Sequence, residues 1–190
     1  MRALRHVGAS PIGERRLLDL GCGQGDGLLG RFEGFGARRS NIAAIELNAE
    51  RAATCAARYA GADIRVGDAR QMPWPDRHFD LIYQGTVFTS ILDPTMKQAI
   101  AGEMLRVLKP GGSILWYDFL VNNPRNRNVR GVGRRELVSL FPGCAFWLSR
   151  VTLAPPVARR LVPISWLAAV LLERLRVLNT HYFGVIRRNA

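Results

Sequence analysis

Leu17-Leu18-Asp19-Leu20-Gly21-Cys22-Gly23-Gln24-Gly25 narrows the folds open to this 190-residue chain more than any other stretch. A short apolar run interrupted by one acid is the pattern of a strand buried on both faces, as in a parallel sheet. The three alternate glycines that follow let the backbone bend sharply and come close to a ligand, where a side chain would collide. The strand therefore points to the fold, and the turn is where function is to be sought.

Beyond the turn, apolar runs and helical patterns alternate, the order expected of a parallel sheet with crossover helices. The first strand covers 17–20, and a short helix follows over 28–32. A second strand covers 41–46, an alanine-rich helix 49–59 and a third strand 62–66. The fourth strand is expected over 79–84 and a longer helix over 94–108, with apolar spacing at Ile100, Met104 and Leu108. Pro110-Gly111-Gly112 is expected to stop that helix before a fifth strand over 113–119. A short helix over 136–141 and strands over 145–153 and 181–187 complete the order.

A glycine-rich turn alone does not choose its ligand, because dinucleotide enzymes also place glycines between a first strand and a first helix. Their spacing would require a third glycine at position 26, where this chain has Asp26. Three acids or amides instead fall at successive strand ends: Glu46 after the second, Asp68 in Gly67-Asp68-Ala69 after the third, and Gln84 after the fourth. Open α/β sheets bind ligands at that edge, and a carboxylate at the position of Glu46 can accept hydrogen bonds from both hydroxyls of a ribose.

With Asp19, Gly21, Gly23 and Gly25, this constellation resembles the class I S-adenosylmethionine-dependent methyltransferases, and among them the type 11 small-molecule enzymes. The resemblance covers 17–119, ending with Glu103-Met104-Leu105-Arg106-Val107-Leu108-Lys109-Pro110-Gly111-Gly112 and the strand after it. It implies a Rossmann-like α/β fold: a seven-stranded, mostly parallel sheet with an antiparallel last strand inserted beside the fifth, and helices on both faces. It also implies S-adenosylmethionine as cofactor. The glycines would pack on its methionine part, Asp19 would hold its amino group and Glu46 its ribose. Asp68 would take the adenine amino group, Leu47 and Ala69 would enclose the ring, and Gln84 would meet the methionine end. Glu103 and Arg106, at i,i+3 spacing, read as a pair on the helix surface rather than as catalytic groups.

Length and a 48% hydrophobic content suit one globular domain over 1–190. The formal charge of +12 invites a nucleic-acid reading, yet the arginines are scattered and no recognisable RNA- or DNA-binding module accompanies them. Cys22, Cys55 and Cys144 are odd in number and lack metal-ligand spacing, so no metal site is expected and a reducing cytoplasm fits. His6 and His78 belong to no suggestive constellation. The resembled enzymes commonly carry one or two cover helices before the first strand, where this sequence has only residues 1–16. The expectation is an open cofactor pocket and weak or absent transfer.

The last third bears on the acceptor. The stretch Asp118-Phe119-Leu120-Val121-Asn122-Asn123-Pro124-Arg125-Asn126-Arg127-Asn128 reads either as a self-satisfied polar loop or as a site for hydroxyls and an acid group. Asp118 and His181 are the ionisable groups to test as proton acceptors, each with a structural reading beside the catalytic one. A helical insertion over 155–178 carries the apolar set Trp166, Val170, Leu171 and Leu175, broadened by Leu167, Ala168, Ala169 and Leu172 and flanked by Arg159, Arg160, Arg174 and Arg176. Burial within the chain or in a homodimer is preferred for it, with contact to an anionic membrane surface as the competing reading. The function expected is methyl transfer to a small-molecule, glycan-like or lipid-linked acceptor. A non-catalytic cofactor-binding module and an RNA methyltransferase stand as alternatives.

Overall fold

The computed structural model describes residues 11–27, 29–124 and 126–189; the expected helix start at Leu28, the histidine His6 and the loop residue Arg125 lie outside them. One seven-stranded sheet runs in the order β3-β2-β1-β4-β5-β7-β6. Its strands are β1 (Leu17–Leu20), β2 (Ile42–Glu46), β3 (Asp63–Val66), β4 (Phe79–Gly85), β5 (Leu108–Phe119), β6 (Cys144–Leu153) and β7 (Asn179–Arg188). The pairs from β3 through β5 are parallel, and β7 runs antiparallel to both β5 and β6. Strand order reverses between β1 and β4, which places a switch point at the end of β1.

β1 is buried along its whole length, so its alternating side chains feed two cores. Leu18 and Leu20 join Phe79, Ile100, Met104 and Trp116 on one face. Leu17 joins Leu29, Phe32, Ile42 and Cys55 on the other. The helices α1 (Leu29–Gly34) and α2 (Ala49–Arg58) belong to the segment between β1 and β3, and α3 (Pro94–Val107) joins β4 to β5. Short polar caps set their starts. The Asn48 side chain accepts from Arg51 N at 3.0 Å, and Asp93 accepts from Thr95 N at 2.8 Å with Pro94 in the first turn.

One expectation needs correction. Pro110-Gly111-Gly112 does not end α3: the helix stops at Val107, where His78 N and Arg77 N donate to the carbonyls of Val107 and Arg106 at 2.7 and 2.9 Å. Tertiary partners for the last carbonyls settle the end of the helix before the proline is reached. The proline and glycines instead lie inside β5, where the register against β4 jumps between Phe79↔Leu108 and Leu81↔Ser113. The insertion after β6 is two helices, α5 (Pro155–Leu161) and α6 (Trp166–Leu175); the seven-residue helix α4 (Arg134–Leu140) lies between β5 and β6.

Glu103 and Arg106 pair as their spacing suggests, and the contact extends well beyond the helix. The Arg106 guanidinium donates to Glu103, to Asp76 Oδ1 at 2.8 Å, and to the carbonyls of Met72 and Trp74 at 2.9 Å each. Glu103 Oε2 in turn accepts from Met72 N at 2.7 Å. One planar, five-donor group thus ties the segment before β4 to α3. Arg106→Ala is expected to lower stability by about 2–4 kcal/mol, since it strands several acceptors at once. Arg106→Lys should recover less than half of that loss, because an ammonium cannot match the fork; urea unfolding of the two variants measures both effects.

Candidate functional site

The turn after β1 is stitched to the end of β2. Gly21 N donates to Ile45 O at 2.9 Å, and Gly23 N donates to Glu46 Oε2 at 2.9 Å. Glu46 Oε1 accepts from Asn48 N at 3.0 Å, so the carboxylate is held from both sides before any ligand arrives. Gly21 has φ +69°, and a Cβ there would lie 2.6 Å from Val87 Cγ2. Gly25 has φ +84° and packs on Tyr59, whose hydroxyl donates to Gly25 O at 3.0 Å; a Cβ would meet that ring at 2.5 Å. At both positions the left-handed backbone and the close neighbour require glycine.

A cleft of about 850 Å³ opens over this turn at the carboxyl ends of β1 to β4. That size falls within the range of roughly 300–1,000 Å³ usual for small-molecule sites. Gly21, Gly23, Glu46, Leu47, Asp68 and Ala69 all line it. Glu46 and Asp68 stand at the ends of adjacent strands, linked by the bond from Gly67 N to Glu46 O at 3.0 Å. Leu47 is an exposed leucine at the rim. The Asp68 carboxylate takes Arg70 N at 2.8 Å and the Arg70 guanidinium at 2.6 and 2.9 Å, and this pairing holds its carboxyl below the usual range.

Asp19, Gly25 and Gln84 support the cleft from behind and are not among its lining residues. Asp19 is buried between Ala44 of β2 and Tyr83 of β4. The site of a Cβ on Gly27 lies 3.8 Å from Asp19 Oδ2. Gln84 is fully buried; its Oε1 accepts from Val87 N at 3.3 Å, while its Nε2 has no hydrogen-bond partner among the described residues.

The opposite wall went unread in the sequence. It comes from the segment after β4, with Thr86, Val87, Ser90 and Ile91, and from Met96 and Ile100 of α3. A short 3-10 turn, Phe88–Ser90, shapes it. The signal available was position alone: this segment leaves the sheet at the switch point, directly beside the glycine turn.

Asp118 and His181 are separated by the sheet. Phe119, not Asp118, pairs with His181 across β5 and β7, so the two ionisable side chains project from opposite faces. Neither is among the residues lining the cleft. Asp118 accepts from Thr89 N at 3.1 Å and Phe119 N at 2.9 Å, which fastens the wall turn to β5. The His181 ring stacks on Tyr117 with centroids 4.8 Å apart, and Thr180 Oγ1 lies 3.1 Å from its Nδ1. Burial lowers its pKa. In the loop after β5, Asn122 Oδ1 accepts from Gly131 N and Asn126 Oδ1 from Asn128 N, both at 3.0 Å, so these amides serve the loop's own backbone.

A family model described as "Methyltransferase domain" matches residues 18–116. The chain is 34% identical over 106 residues to a fatty-acid O-methyltransferase of Mycolicibacterium smegmatis, an overlap covering 55% of this chain and 37% of that protein. The chain thus spans well under half the length of the curated relatives it matches. Among solved structures it is similar to an S-adenosylmethionine-dependent methyltransferase from Methanosarcina mazei, with a TM-score of 0.69 at 18% identity, covering 98% of this chain and 97% of that one. It is also similar to geranyl diphosphate C-methyltransferase from Streptomyces coelicolor, crystallised with Mg2+, geranyl diphosphate and S-adenosylhomocysteine; the TM-score is 0.70 at 18% identity, over 100% and 76% of the two chains. These structural likenesses establish the fold.

Burial pushes the Asp118 carboxyl up to about 7, against the opposing pull of the Phe119 and Thr89 amides and of Lys97. The folded carboxyl then keeps its proton up to about pH 7, whereas the unfolded one releases it near ~3.9. Its contribution to stability is full below about pH 4 and is lost as pH rises toward 7. Stability relative to Asp118→Asn should therefore fall over that window, by at most about 4 kcal/mol, in urea unfolding at each pH. A flat difference would show that the amides and Lys97 keep the group ionised.

Proposed function

The chain belongs to the methyltransferase domain family, and from that footing we propose that its cleft binds S-adenosylmethionine and directs methyl transfer to a small acceptor with an apolar body. The observation that carries the cofactor reading is the prepositioned Glu46 carboxylate. It is fixed by Gly23 N and Asn48 N at the cleft wall, with lone pairs left over for two ribose hydroxyls. A carboxylate offers four acceptor sites, and the backbone uses two.

The rest of the cleft fits the same ligand. Asp68 can take an exocyclic amine on the acceptor capacity that Arg70 leaves, and Leu47 and Ala69 supply apolar cover for a flat ring. The absence of room for a Cβ at Gly21 keeps the turn close enough for backbone contact. Asp19, Gly25 and Gln84 hold the turn in shape from behind. Bound S-adenosylmethionine supplies an activated methyl group, so the chain's task is chiefly to orient the acceptor and exclude water. Asp118 serves that task by fastening the Thr89 turn that walls the cleft. His181, stacked away from the cleft lining, has no proton to take there.

The apolar wall of Val87, Ile91, Met96 and Ile100 favours a hydrocarbon-bearing acceptor over a sugar. Two of the loop asparagines, Asn122 and Asn126, already spend their side-chain oxygens on the loop's own backbone. The fatty-acid and geranyl diphosphate enzymes to which the chain is similar bear names with acceptors of that kind.

Calorimetric titration with S-adenosylhomocysteine tests the cofactor reading. Glu46→Ala should weaken binding at least about tenfold, the equivalent of one charge-assisted hydrogen bond, while the folded circular dichroism spectrum persists. Unchanged affinity in this variant sinks the assignment. Incubation of the chain with methyl-labelled cofactor and a cell extract should place the label in the organic-solvent fraction. Label removed by nuclease would favour an RNA acceptor, and no transferred label would favour a binding module.

A further inference from the structure

The insertion between β6 and β7 turns its apolar face away from the protein. Sequence patterning favoured burial for this face, and within the chain the structure does not supply it. In α6 only Ala169 is buried among the described residues, whereas Leu167 is 61%, Leu171 52% and Leu175 68% exposed. These three leucines recur every four residues and form one stripe, on the side of the helix away from Ala169. Trp166 at 68% and Ile164 at 81% exposure extend it toward α5. Between the helices lies an apolar groove of about 460 Å³, walled by Pro156, Val157, Leu161, Ile164 and Leu172, with Arg160 among its lining residues. Contiguous exposed apolar side chains rimmed by charge are the character of a contact surface.

Charge decides which contact. Every charged side chain from 137 to 189 is an arginine except Glu173. Arg159, Arg160, Arg174 and Arg176 are all exposed around the patch, and Arg174 falls within the leucine stripe itself. Glu173 is turned back to the chain, accepting from Thr152 N at 3.0 Å. A second copy of the chain docked on this face would bring arginines against arginines. An anionic surface with an apolar interior satisfies both features at once.

The placement in the fold adds direction. β6 runs parallel to β5, so its carboxyl end, from which α5 departs, lies on the same edge of the sheet as the carboxyl ends of β1 and β4. That edge carries the cleft. Among the described residues no helix is long and apolar enough to cross a membrane, so a bilayer contact here is one of resting on the surface.

We propose that α5 and α6 form a docking surface for an anionic lipid bilayer, with Trp166, Leu167, Leu171 and Leu175 entering the interface and the surrounding arginines meeting the headgroups. The docked chain presents the cleft-bearing edge of its sheet toward the membrane. Surface binding stands independently of the cofactor assignment; delivery of a membrane-dissolved acceptor rests on it.

Co-sedimentation of the full chain with phosphatidylcholine vesicles, with and without phosphatidylglycerol, is the test. Binding is expected to the vesicles containing phosphatidylglycerol, at least tenfold stronger than to phosphatidylcholine alone, and to weaken with added salt. Leu171→Asp and the double change Arg159→Glu, Arg160→Glu should each reduce it at least tenfold. Because these side chains are exposed, the unfolding midpoint and the affinity for S-adenosylhomocysteine should not change in either variant, which separates this proposal from the cofactor reading. Equal or absent binding to both kinds of vesicle overturns it. So does a concentration-dependent dimer in sedimentation velocity that Leu171→Asp dissociates, since the occupant of the face would then be a second copy.

Discussion

The cleft depends on one short ladder of hydrogen bonds, from Gly21 N to Ile45 O, from Gly23 N to Glu46, and from Gly67 N to Glu46 O. It joins the ends of β1, β2 and β3 beyond the point where regular pairing of the turn would stop. Because parallel strands leave their carboxyl ends side by side, such a ladder makes a continuous rim, and Glu46 contributes to it through both its backbone and its side chain. The carboxylate is thereby oriented without any demand on a ligand, so little ordering cost remains when one binds. The glycines are a consequence of the same arrangement. A turn held this close to β2 on one side and to Val87 on the other has no room for a Cβ at Gly21.

The parts of this design visible in the sequence are those with a short-range cause. β1 was legible because four residues buried on both faces read as an apolar run, and Glu46 and Asp68 because strand ends follow from strand lengths. The failures have long-range causes. Pro110-Gly111-Gly112 carries every local mark of a helix stop, yet His78 N and Arg77 N cap the carbonyls first, and the chain enters β5 with its bulge already under way. Asp118 and His181 read separately as ionisable groups to test as proton acceptors, and the structure puts them on opposite faces of the sheet. Which face each takes depends on the register of β7 against β5, and that register is not written in either strand alone.

The wall of the cleft shows the same limit more clearly. Thr86, Val87, Ser90 and Ile91 have no recognisable pattern, and their segment is held by distant partners: Thr86 N donates to Tyr117 O at 2.8 Å and Thr89 N to Asp118, about thirty residues further along. A buried carboxyl whose role is to hold a turn is indistinguishable, in sequence, from one that moves a proton. Its neighbours here are two backbone amides, from Thr89 and Phe119, and it is not among the residues lining the cleft.

The antiparallel β7 gives the fold a further property. A strand added parallel to β5 would need its connection to cross the sheet, whereas β6 and β7 are antiparallel neighbours joined at the carboxyl end of β6. Anything inserted in that joint emerges at the ligand edge. It does so at the border of the sheet, where Ala154 N bonds to Leu178 O at 2.9 Å and closes the base of the insertion. Within it, Glu173 is tied back to the strands, its carboxylate accepting from Thr152 N at 3.0 Å and its carbonyl from Asn179 Nδ2 at 2.9 Å. The core then sets where α5 and α6 stand, while their outward side chains are free of packing constraints. A row of leucines and a tryptophan exposed on such an unconstrained face is costly in water, and the proposed contact at the ligand edge would remove that cost.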